Sequence, residues 1–121
     1  MINVYETEDG VVFDMSQLEC DALRSYADGL LTDPEHPFVE LLRSQGLVVG
    51  DAPVPHLAVL LEAFSQATKV LTAWVVSPAG CRRSTFFVGP HSAVVSRCDE
   101  GGLYAGEDDL LSVWSIDSAQ L

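Results

Sequence analysis

Apolar and polar positions alternate with two different periods along this chain. From Lys69 to Cys98, Val, Thr, Phe and Trp dominate three apolar segments, Lys69–Ser77, Arg82–Gly89 and Ser92–Cys98. The turns between them, Ser77-Pro78-Ala79-Gly80 and Gly89-Pro90-His91-Ser92, are short enough only to join antiparallel neighbours, so the stretch predicts a three-stranded meander. Upstream the period becomes helical. Ser16-Gln17-Leu18-Glu19 is a capping box, and Leu18, Ala22, Leu23, Tyr26 and Leu30 follow at helical spacing, giving a helix from residue 16 to Gly29 or Leu30.

Asp33 as cap and Pro34 in the first turn predict a second, short helix carrying Phe38, Leu41 and Leu42. Gly46 suits the left-handed position past its end, with Leu47 folding back on Leu42. Leu47-Val48-Val49 is a strand or an apolar anchor, and Gly50–Val54 a linker. Pro55 opens a third helix to about Ala67, whose stripe of Leu57, Leu60, Leu61 and Phe64 makes it the most buried. Ile2–Tyr5 and Val11–Phe13 read as short β-type pieces around the acidic turn Glu6–Gly10, a small hairpin or an edge strand. After the meander, Asp99–Gly102 reads as a turn and Leu103-Tyr104 as a short strand. Glu107–Ile116 reads as a last helix, with acids where the macrodipole favours them. The expectation is one α+β domain over residues 1–121, an antiparallel meander sheet packed with three to four helices.

Charge sharpens the picture. Hydrophobic residues make up 48% of the 121 and mean hydropathy is +0.22, despite a net charge of −12. The charge is therefore concentrated on certain faces. The meander holds no acid but has Lys69, Arg82, Arg83 and Arg97; elsewhere 18 acids face only Arg24 and Arg43. A pI near 4.2 argues against nucleic acid and anionic membranes as partners. The N-terminus lacks the basic start and apolar run of a signal peptide, and no apolar run approaches the ~20 residues of a membrane helix. Cys20, Cys81 and Cys98 show no CxxC spacing, so three reduced thiols in a cytoplasmic protein are expected.

Chemistry finds little support. Cys98 and His91 are seven residues apart on one hairpin, and Cys81, His91 and Cys98 lack both a fourth zinc ligand and the usual spacing. Glu107-Asp108-Asp109 lacks the alternating ligands of a calcium loop, and no glycine pair forms a phosphate loop. No catalytic, metal or cofactor residue is assigned, and a non-enzymatic binding protein is expected.

The meander is more informative. If Pro90-His91 is a two-residue loop and Ser77 pairs with Arg82, then Leu71, Ala73, Val75, Phe86, Val88, Ala93 and Val95 share one face. The second face carries Thr72, Trp74, Val76, Arg83, Thr85, Phe87, Val94 and Ser96. Either helices cover both faces, or the register is slipped by one, or the second face is an interface. The third alternative makes Trp74, Val76, Pro78, Arg82, Arg83, Phe87 and Val94 the partner-binding candidates, with a homodimer formed through or beside that face.

The order of features resembles that of the EspG family, cytoplasmic chaperones of actinobacterial type VII (ESX) secretion. The resemblance rests on Val12-Phe13-Asp14-Met15-Ser16 leading into Leu18–Leu23 and on His36-Pro37. It continues through Leu42-Arg43-Ser44-Gln45-Gly46-Leu47-Val48-Val49-Gly50-Asp51, the helix Leu57–Phe64 and the strand pair Phe86–Arg97. Members of that family are roughly twice this length and built from two related halves, of which this chain resembles the N-terminal one. The resemblance implies a chaperone that binds PE/PPE-like substrates or an assembly partner, with its gripping loop at Ser77–Arg83. The other reading is a small acidic inhibitor, a toxin-immunity or phage-encoded modulator, that blocks a basic surface.

Overall fold

The computed structural model describes residues 1–8 and 10–121. Along the chain run β1 (Asn3–Thr7), β2 (Gly10–Ser16), α1 (Gln17–Ala27), α2 (Pro37–Ser44), β3 (Val48–Val49) and β4 (Ala52–Pro53). They are followed by α3 (Pro55–Gln66), β5 (Lys69–Ser77), β6 (Gly80–Val88), β7 (Ser92–Gly101) and β8 (Leu110–Asp117). Six strands make one antiparallel sheet in the order β1-β2-β8-β7-β6-β5, and β3 and β4 form a separate two-stranded hairpin. The fold is α+β, three α-helices on an antiparallel sheet that contains the meander.

Local signals account for the helices. Ser16 Oγ accepts from the Glu19 N–H at 3.1 Å, and the Ser16 N–H donates to Glu19 at 2.9 Å, so the capping box is real. Behind it α1 buries Cys20 and Leu23, while Leu18 and Leu30, which the helical spacing had placed on the stripe, are exposed. At the end of α2 the Leu47 N–H donates to Leu42 at 2.9 Å and the Gly46 N–H to Arg43 at 3.0 Å, with Gly46 at φ +72°. That is the expected Schellman stop. The start of α2 differs from expectation. Asp33 closes a local turn by accepting from the Glu35 N–H, and the helix begins three residues after Pro34, capped by His36 Nδ1 accepting from Phe38 at 3.1 Å. The apolar stripe of α3 is buried as expected: Leu57, Leu60, Leu61, Ala63 and Phe64.

The sheet departs from expectation after the meander. Asp99–Gly101 continue β7 instead of turning, and Leu103-Tyr104 is irregular. Glu107–Ile116 is no helix: residues 110–117 are β8, inserted between β2 and β7, with Phe13 opposite Val113 and Val95 opposite Trp114. Pro90-His91 is the two-residue loop anticipated, but Ser77 pairs with Gly80, not Arg82. Side chains keep their faces under this two-residue change and gain different cross-strand neighbours. The N-terminal hairpin pairs Thr7 with Gly10; Asp9, within the acidic turn expected there, lies outside the described residues.

All three helices join one core with one side of the sheet. Phe13, Met15, Phe87, Val94, Leu111 and Val113 point into it and meet Leu23, Leu42, Leu57, Leu60 and Phe64.

Candidate partner interface

The helix-covered side is the second face of the meander, the one that carries Trp74, Phe87 and Val94. Phe87 is 6% exposed and Val94 0%; the Phe64 ring stands edge-on to Phe87 at 5.3 Å, and the Arg24 guanidinium lies 4.5 Å above it. Both residues belong to the core, so they offer no partner surface. Arg83, 5% exposed, is likewise committed. It donates to the Gly102 carbonyl at 3.1 Å and pairs with Asp109 at 3.2 Å, holding the loop before β8 against the sheet. The Gly106 N–H, followed by Arg83, holds the Asp109 carboxyl below its ordinary value.

The other four candidates remain at the surface near the β5–β6 end of the sheet. Trp74 is 48% exposed, with its indole N–H donating to Leu103, and Val76 is 69% exposed. Pro78 is at the hairpin tip, and Arg82 shares Asp99 with Arg97 at 2.9 and 3.1 Å. Between Trp74 and α1 a groove of about 280 Å³ exposes Thr72, Thr85 and Tyr104.

The first face, expected to be the inner one, carries no α-helix and is open toward its β5 side, while Val95 (5% exposed) and Ala93 are buried on it. Its central row runs Tyr5, Val12, Trp114, Val95, Phe86 and Leu71 across the sheet. No described helix belongs to the same core as this row. Leu71 and Val75 are 58% and 64% exposed, and Phe86 and Trp114 are partly so. Polar groups frame the row: Asp14 accepts from Ser112 at 3.0 Å and Tyr5 at 3.2 Å, and the Arg97 guanidinium lies 5.8 Å from the Trp114 ring centre. An apolar strip rimmed by charge is the composition of a protein-contact surface.

Comparison with protein-family models, with curated proteins and with solved structures finds no match for this chain.

The residues suspected of chemistry are dispersed. His36 is a helix cap, and His56 and His91 are exposed at other places. All three cysteines are free thiols; burial, and then Asp21, push the Cys20 thiol up to about 12. No described group of three His, Cys, Asp or Glu side chains gathers as a metal would need. No described helix is long and apolar enough to cross a membrane. A bowl of about 910 Å³ is lined by Asp14, Glu19, Asp99, Glu100, Asp108 and Asp109 with Arg97. Burial would raise the Glu19 carboxyl, but hydrogen bonds from Ser16 and the ion pair with the Met1 amine leave it lowered.

Sequence reasoning misses Tyr5, Val12 and Trp114 as part of this face and places Leu71, Val75 and Phe86 on the inner side; Val95, on the same face, is buried as expected. A usable signal was present. The first face carries Lys69, Arg82, Arg97 and Asp99, whereas the second has Arg83 alone, and the face with more charge is the wet one.

Proposed function

We propose that this chain is a non-enzymatic protein-binding domain whose contact surface is the open sheet face with the adjoining β5–β6 hairpin. The observation that carries the reading is the apolar row Leu71, Phe86, Val95, Trp114, Val12 and Tyr5, left without a helix on a chain of net charge −12. Taken with the order of features it shares with EspG proteins, the narrower form is a cytoplasmic chaperone of type VII secretion that holds PE/PPE-like substrates or an assembly partner. The test is co-expression with a tagged PE–PPE pair. Wild type should copurify, and Phe86→Lys, still folded by circular dichroism, should be lost. Absence of copurification in the wild type would remove the chaperone form.

The acid-lined bowl favours a second reading, an acidic inhibitor that caps a basic surface. Such binding weakens as the Debye length falls from about 10 Å at 0.1 M salt to about 3 Å at 1 M, while contact through the apolar row does not. Partner recovery at the two salt concentrations separates the readings.

A further inference from the structure

β5 ends the sheet: among the described residues its sole strand partner is β6. Exposed edges usually carry a protective device, such as a charge, a proline, a bulge or a short length. The opposite edge, β1, is five residues long and includes Glu6. β5 is nine residues long, has no proline, keeps an unbroken register with β6 and carries no charge beyond Lys69. Val70, Leu71, Trp74, Val75 and Val76 are all exposed along it, on both faces.

We propose that β5 pairs antiparallel with β5 of a second copy of this chain, joining two six-stranded sheets about a two-fold axis perpendicular to them. This goes beyond the binding reading above and does not depend on it. Two features favour a second copy over an extended segment of another protein. The first is charge: molecules of net charge −12 repel, and the acid-free stretch 69–98 is where two copies approach at least cost. The second is self-complementarity. Full overlap of the nine residues centres on Ala73, a small side chain where each copy meets itself. Leu71 then lies opposite Val75, Val70 opposite Val76, and Thr72 opposite Trp74. Lys69 meets Ser77 and not another Lys69. Every large exposed side chain of β5 thus gains a cross-strand partner, and no like charges are opposed.

The pairing uses the same patch on both molecules and therefore closes as a dimer. It also keeps both sets of helices on one side and makes the two open faces continuous. One strand per copy is a small interface, so a micromolar dissociation constant, about 1–100 µM, is expected.

The experiment combines light scattering with thiol crosslinking in a Cys81→Ser background, Cys20 and Cys98 being buried. Wild-type mass should rise with concentration from 13.1 kDa to twice that value and stop. Val75→Glu, placed opposite Leu71 of the copy, should weaken association by at least about tenfold while the monomer stays folded. Ala73→Cys should form an intermolecular disulfide, since directly opposite antiparallel residues have Cα atoms about 4.5–5.5 Å apart. Lys69→Cys should not, because its copy would lie about 27 Å away along the strand. A monomer up to 500 µM (about five times the upper limit above) would overturn the proposal and leave the edge to an extended segment of another protein. So would a mass that climbs past two chains, or a dimer in which Lys69→Cys crosslinks as readily as Ala73→Cys.

Discussion

Phe87 and Trp74 occupy the same face of neighbouring strands, yet their replacement should have opposite consequences. Phe87→Ala opens a cavity beneath Phe64 and Arg24 and should cost about 3–5 kcal/mol in urea unfolding. Trp74→Ala loses a half-exposed ring and one bond to Leu103, and should stay within about 1 kcal/mol of wild type. Asp109 adds a pH dependence. Its folded pKa lies below the ordinary 3.8, so its contribution is complete above that value and vanishes as pH falls through the lower folded one. Arg83 then loses its counter-charge and the Gly102–Asp109 loop loosens, which Trp74 fluorescence in a Trp114→Phe variant should register as a step below about pH 4. Asp109→Asn should abolish the step. Among the thiols, only partly exposed Cys81 should react promptly with a thiol reagent at pH 8; Cys20 and Cys98 should require denaturant.

Elements written in local chemistry were legible from sequence; those written by distant partners were not. The Ser16 box, the Gly46 stop and the α3 stripe each need only a few neighbouring residues, and each is where the pattern placed it. The Gly46 stop is also testable. Gly46→Ala forces a side chain into φ +72° and should cost about 1–2 kcal/mol, whereas Gly102→Ala, with open space at its Cβ, should cost almost nothing. β8 shows the opposite case. Its Leu-Leu-Ser-Val-Trp-Ser-Ile is apolar on both faces, and Glu107-Asp108-Asp109 ahead of it imitates a helix start. What makes it a strand is β2 on one side and β7 on the other, and the carboxylate of Asp109 serves Arg83 and Gly106, not a helix end. Val113, Trp114 and Ile116 within four residues were the available hint.

For the molecule as a whole, strand alternation fixed which side chains travel together but not which side the helices take. The apolar side chains alone do not distinguish a face that carries Trp74, Phe87 and Val94 from one that carries Leu71, Phe86 and Val95; the heavier charge of the first face is the one local sign, and the packing of α1 and α3 decides it. Four of the seven candidate contact residues accordingly remain at the surface, while Arg83, Phe87 and Val94 hold the fold. The strand order has a kinetic consequence. Within the sheet β1–β2 pairs with the meander only through β8, so completing the strand ladder closes a loop of about a hundred residues between Phe13 and Val113. Contacts within β5–β7 span far shorter loops and are cheaper to form early. Val94→Ala, in the meander, should therefore slow refolding. Phe13→Leu, at the seam, should leave the refolding rate nearly unchanged and speed unfolding instead. The seam between β2 and β8 is thus the last part of the sheet to close and the first to open, and amide exchange in β2 should outpace that in β7.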